Sequence, residues 1–195
     1  YLTRKLGPDG FGELSYYLTM LVLFSIFVGL SQDGAITRYF YFYGKKALNT
    51  VVKAGYLFNI VISGLLLLGC WWYKAEIMAY IVLATMFQSF VSVQLALRQC
   101  QKQPFKYITI QIILSLTNVV FTVAALEYFT QDLVTYRILA IVIANLTTFI
   151  IASLVLGDLF KNEFKLTLNR LRLGMLYILS FGLPLILHQS SFFIK

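Results

Sequence analysis

An all-α bundle of membrane-crossing helices is the fold this sequence predicts, and three observations predict it. Six stretches contain no Asp, Glu, Lys or Arg: Leu14–Gln32, Ala54–Tyr73, Ile77–Leu97, Tyr107–Leu126, Ile138–Gly157 and Leu173–Ile194. At a rise of ~1.5 Å per residue, ~20 helical residues cross the ~30 Å hydrocarbon core of a bilayer once. The hydrophobic fraction is 59% and the mean hydropathy +0.79, which places the chain outside ordinary soluble composition. Its charges fall between the stretches, as they should when a charge at the bilayer centre costs ~2.5–3.5 kcal/mol.

The same charges orient the chain. Eleven basic residues lie in alternate connections: Arg38, Lys45, Lys46 and Lys53, then Arg98, Lys102 and Lys106, then Lys161, Lys165, Arg170 and Arg172. Five lie on the opposite side, namely Arg4, Lys5, Lys74, Arg137 and Lys195. The positive-inside rule puts 33–53, 98–106 and 158–172 in the cytoplasm and the N-terminal segment outside. The net charge of +8 is thereby accounted for without nucleic acid as a partner. Tyr1 begins outside with no initiator Met, and Lys195 follows Ile194 with no tail, so a fragment lacking its preceding helix is expected. Cys70 and Cys100 fall at opposite membrane faces, cannot pair, and read as structural.

Each element follows in order. Residues 1–13 read as an external turn, with Pro8 presetting φ and Gly7, Gly10 and Gly12 permitting positive φ. After the first span, the five aromatics Tyr39–Tyr43 beside Arg38, Lys45 and Lys46 predict a helix extension at headgroup level. Trp71, Trp72 and Tyr73 close the second span at the outer interface. Residues 74–76 are so short a loop that spans two and three must be antiparallel neighbours. In the last span, Pro184 cannot bond the Ser180 carbonyl, so Gly182 and Pro184 predict a kink or break.

Polar residues within the spans are patterned. Tyr107, Gln111, Ser115, Asn118 and Thr122 recur every three or four residues and trace one helical face. Thr85, Gln88, Ser89 and Ser92 share a face of the third span; Asn145 with Thr148, and Asn59 with Ser63, repeat the theme. Such residues are either interhelical glue, worth ~0.6 kcal/mol each on average, or the wall of a water-accessible cavity. Arg38, near Asp33 at the inner edge of the first span, suits phosphate and is the leading headgroup contact; ordinary positive-inside anchoring is the alternative. His188 is the sole histidine, a candidate with Pro184 for a proton or gating role, or else a neutral interhelical partner. No pair of carboxylates, metal-ligand cluster, nucleophile with a base or phosphate-binding loop appears, so no catalytic residue, metal or cofactor is expected.

Two segments carry a family resemblance. Leu2-Thr3-Arg4-Lys5-Leu6-Gly7-Pro8-Asp9-Gly10-Phe11-Gly12 resembles the turn between helices one and two of bacterial polysaccharide flippases. These are the O-antigen and capsule repeat-unit transporters of the multidrug/oligosaccharidyl-lipid/polysaccharide superfamily. Gly182-Leu183-Pro184-Leu185-Ile186-Leu187-His188 resembles the start of their seventh helix. The resemblance implies a MATE-like flippase fold of two facing six-helix lobes. Residues 1–157 would be the amino lobe without its first helix, 158–172 the cytoplasmic inter-lobe connection, and 173–195 the truncated first helix of the carboxy lobe.

It also implies a non-enzymatic transporter in the bacterial inner membrane. The substrate would be undecaprenyl-diphosphate-linked oligosaccharide, flipped outward by alternating access among membrane lipids, with polysaccharide polymerase and chain-length proteins as partners. Chemistry and position, rather than a family motif, single out Arg38, Gln111, Ser115, Asn118, Asn145 and His188, with Gly7, Pro8, Gly10 and Gly12 as turn-makers. A cation-coupled multidrug exporter of the same superfamily is the nearest alternative and should carry an acidic residue deep in an amino-lobe helix. A membrane polymerase or acyltransferase would need a large external loop with catalytic Arg, His or Asp.

Overall fold

The computed structural model describes residues 1–44, 48–129, 131–154 and 168–190. They form α1 (Leu2–Gly29), α2 (Gln32–Tyr43), α3 (Leu48–Trp72), α4 (Glu76–Cys100), α5 (Pro104–Tyr128), α6 (Leu133–Leu154) and α7 (Leu168–Ser190). No strand occurs among the described residues. Lys45, Lys46, Lys161, Lys165, Lys195 and most of the expected 158–172 connection lie outside the described residues; α7 takes up the rest of that connection from Leu168.

Among the described residues, five segments are long and apolar enough to cross a bilayer: Leu2–Tyr43 taken together, α3, α4, α5 and α6. The sixth expected span overlaps α7, which over its described residues does not reach that standard. α4 is the central helix, touching α1, α2, α3, α5 and α6, and thirteen of its residues are buried. On one side Leu14, Leu21, Ile81, Ala84, Ile138 and Ile141 join α1, α4 and α6. On the other, Leu30, Ile36, Val51, Val93, Leu97 and Ile178 join α2, α3, α4 and α7. α5 leans mainly on α6 and leaves Ile108, Ile112, Leu116, Val119 and Val120 exposed, the surface a helix offers to lipid.

Three local readings are corrected. The N-terminal turn shrinks to one residue: Gly7 alone takes a left-handed φ of 71°, and Pro8 opens the next helical piece. Gly10 and Gly12 are helical, because Leu2 and Leu6 pack against the α1–α4–α6 core and hold the backbone in register against weak local propensity. The first span, expected to be one helix to Gln32, breaks inside its length, where Leu30 (φ 46°) and Ser31 (φ 48°) are both left-handed. That conformation costs about 1–2 kcal/mol per non-glycine residue, so packing must impose it. Of the kink or break foreseen at Gly182 and Pro184, the break is absent: α7 stays helical through both. A proline removes one hydrogen bond, and a helix held by its neighbours absorbs that loss.

What holds α7 is a stripe one turn apart: Gly174, Ile178 and Gly182. A Cβ at Gly174 would lie 3.0 Å from the Ala54 Cβ, and one at Gly182 would lie 2.5 Å from the Leu30 carbonyl oxygen. Ile178 is fully buried and faces Gly55 of α3. Within a membrane, where apolar burial gives helices little reason to associate, such backbone proximity supplies the contact.

Candidate functional site: a polar cleft along α4

The break between α1 and α2 opens onto a cleft of about 370 Å³. Ser25, Ile26 and Gly29 of α1, the joint at Ser31, and Gln32 and Asp33 of α2 form one wall; Thr85, Gln88, Ser89 and Ser92 of α4 form the other. A second cleft of about 460 Å³ continues it, sharing Asp33 and Ser92 and adding Thr37, Arg38, Gln99 and Tyr107. From Thr85 to Gln99 the α4 floor runs roughly 21 Å, from mid-membrane depth to the inner end. Tyr107 also borders a separate shallow groove of about 400 Å³ on α5, where Gln111 and Ser115 sit among Ile108, Ile112 and Leu116 of the apolar outward face.

The local structure explains this placement. Thr85, Gln88, Ser89 and Ser92 lie at helical spacing, so α4 presents them together. The Thr85 hydroxyl satisfies itself on the Val82 carbonyl at 2.8 Å. Breaking α1 at Leu30 turns α2 so that its first turn, with Asp33, faces the cleft. Arg38 sits one turn farther in, its guanidinium carbon 5.3 Å from the Phe181 ring and 5.6 Å from the Phe42 ring. Cation–π contacts consume none of its five N–H donors, so a ligand still has them to meet.

The sequence-predicted residues divide. Arg38 lines the second cleft, whereas Gln111 and Ser115 line the neighbouring α5 groove and not the cleft itself. Asn118 does not: its Oδ1 accepts Arg137 Nη1 at 3.1 Å, and its carbonyl accepts the Thr122 hydroxyl. Asn145 is buried in α6 at 5% exposure. Thr148, one turn on, meets the Thr117 hydroxyl at 3.2 Å, so this end of the α5 and α6 stripes joins helices. Asn59 and Ser63 are fully buried in α3. His188 is exposed on α7, and neither it nor Pro184 lines the cleft. Gly7, Pro8, Gly10 and Gly12 are likewise remote from it.

Sequence reasoning left Ser25, Ser31, Thr37 and Gln99 unremarked. It placed the α4 stripe on one face without choosing it as the site; length and polarity were the available signal. Cysteines introduced singly at Gln88, Ser92 and Gln99, with Cys70 and Cys100 replaced, should react with a water-soluble thiol reagent. Cysteine at Asn145 should stay protected. Equal labelling at Asn145 and Gln88 would contradict the cleft.

At the outer face, Glu127 on α5 accepts Lys5 Nζ at 2.9 Å and also the Tyr1 hydroxyl, tying the start of α1 to the end of α5. No group of three or more His, Cys, Asp or Glu side chains capable of holding a metal occurs among the described residues.

Over residues 1–195 the chain matches the family model described as polysaccharide biosynthesis protein. A Haemophilus influenzae protein named for the Lsg locus is 50% identical across the whole chain, which covers 48% of that relative. An uncharacterized membrane protein of the same organism is 51% identical over the same extent, again with 48% of its length covered. The chain thus spans about half the length of these curated relatives. No solved structure matches it.

Proposed function

Because this chain belongs to the polysaccharide biosynthesis protein family and lies in the bacterial inner membrane, we propose that it forms part of a lipid-linked glycan flippase. The single observation carrying this reading is the polar cleft that runs from mid-membrane depth to a cationic inner end. A sugar headgroup cannot enter hydrocarbon without losing its hydrogen bonds, each worth several kcal/mol there. The hydroxyls of Ser25, Thr37, Ser89 and Ser92, with the carboxamides of Gln88 and Gln99, offer replacements in both donor and acceptor roles. Arg38 at the inner mouth would take the diphosphate, by the bidentate geometry a guanidinium provides. The lipid tail would stay outside, along the exposed apolar faces of the bundle.

Transport then needs the cleft to exchange its opening between the two leaflets, by rocking of this bundle against the remainder of the protein. The substrate fitting this chemistry is a polyprenyl-diphosphate oligosaccharide, with no bond made or broken in it and no cofactor required. Asp33 in the cleft is the one observation that favours the cation-coupled multidrug exporter instead. The phosphate-suited Arg38 and the run of hydroxyls favour the glycan.

The test is Arg38→Ala in the complete protein, reconstituted in liposomes with a fluorescent lipid-diphosphate oligosaccharide. Losing a charge-assisted contact should slow flipping about 10- to 100-fold, and Arg38→Lys should recover only part of it. Unchanged flipping by Arg38→Ala would remove Arg38 from the reading. A wild-type protein that moves a cationic drug and no glycan would replace the reading with the exporter.

A further inference from the structure

We propose that Asp33 sets the glycan specificity of this cleft, admitting uncharged sugars and rejecting those that carry a carboxylate. The inference rests on the glycan-transport reading and deepens it by naming the substrate class.

Charge along the cleft is arranged asymmetrically. Ser25, Ser31, Thr85, Gln88, Ser89 and Ser92 are neutral, and Asp33 is the only charged side chain lining that deeper part among the described residues. Arg38, the other charge, lies five residues farther along α2, roughly 7.5 Å toward the inner end. Asp33 forms no ion pair among the described residues, and its side chain is exposed to the cleft rather than packed away. It also lines both halves of the passage, so a headgroup moving between Arg38 and the Thr85–Ser92 floor must pass it.

A diphosphate held at Arg38 leaves the attached sugars beside Asp33. Neutral sugars present hydroxyl donors there, and a carboxylate accepts such bonds more strongly than a neutral oxygen does. A uronic or other acidic sugar would place a second negative charge beside it, and the like-charge repulsion disfavours its entry. Specificity needs a repulsive element against the wrong ligand as well as contacts to the right one, and Asp33 supplies both.

The competing role is structural. An acidic residue in the first turn of α2 also suits that helix's dipole. A structural role would change transport of every glycan alike, so the readout is a ratio. The complete protein in liposomes is offered two lipid-diphosphate trisaccharides, identical except that one carries a hexuronic acid in place of a hexose. Wild type should flip the neutral glycan about tenfold faster than the acidic one. Asp33→Asn should bring the ratio to within about threefold of unity, and Gln88→Glu, which adds a carboxylate across the cleft, should widen it beyond wild type.

Equal wild-type rates, or a ratio unchanged by Asp33→Asn, would overturn the inference while leaving transport standing. Movement of neither glycan by wild type would overturn the transport reading itself, and the specificity role with it.

Discussion

Replacing Gly182 with alanine should loosen α7 from the bundle, and with leucine should detach it. A Cβ at this position would stand 2.5 Å from both the Leu30 carbonyl oxygen and the Leu30 Cγ. Leu30 cannot yield easily: it is 2% exposed and held in the left-handed conformation by its place between α1 and α2. Overpacking against a fixed backbone costs about 1–3 kcal/mol, and the alanine variant belongs at the upper end. Gly64 and Gly69 on α3 are the controls, because nothing lies within 4 Å of a Cβ at either. Alanine there should be neutral or stabilising by up to ~1 kcal/mol, through helix propensity alone. Thermal denaturation of the detergent-solubilised complete protein reads the difference. Equal midpoints for Gly182→Ala and Gly64→Ala would remove the close approach as the device that seats α7.

The second large effect belongs to Arg98. Read as one of the cytoplasmic charges, it is in fact 1% exposed and among the bulkiest fully buried side chains. Its Nη1 donates to the Oε1 of Gln101 at 3.3 Å and of Gln103 at 3.2 Å. It therefore braces the three-residue turn between α4 and α5, where Lys102 takes a left-handed φ of 54°. One turn back along α4, Gln94 Nε2 donates to the Tyr56 hydroxyl at 3.1 Å, extending the buried polar layer. Arg98→Leu should destabilise by about 3 kcal/mol, since both acceptors lose a charged donor and the guanidinium volume is only partly refilled. Arg98→Lys should be nearly as damaging, because an ammonium on a flexible stem cannot reproduce the fork. Full stability of the lysine variant would show that charge alone matters at this turn.

These two residues also mark where the sequence ran out. Charge-free length located the helices well: Ile77–Leu97 became α4 from Glu76 to Cys100, and Tyr107–Leu126 became α5 from Pro104 to Tyr128. Helices overran the charge boundaries because a long basic side chain can stand within a terminal turn and still reach water. The break at Leu30 left no such mark. Neither Leu30 nor Ser31 favours a left-handed backbone, and the close neighbour of Leu30 is Gly182 on α7, which a reading along one helix does not see.

The polar stripes failed in a related way. Spacing puts Gln111 and Asn118 on one face of α5, but only Arg137 on α6 decides that Asn118 is spent between helices while Gln111 stays open. Asp33 and the α4 stripe were visible separately. That they form one wall and one floor follows from how α2 turns after the break.

The aromatic residues at the two ends of α3 have a mechanical meaning. Tyr41, Phe42 and Tyr43 are exposed just before the helix begins, and Trp71, Trp72 and Tyr73 are exposed where it ends. About 36 Å of helix separates the two groups, close to the hydrocarbon thickness plus one ring at each headgroup layer. Shifting the bundle along the membrane normal would drive one set of rings into the acyl chains and lift the other into water. Its vertical position is therefore pinned from both leaflets at once.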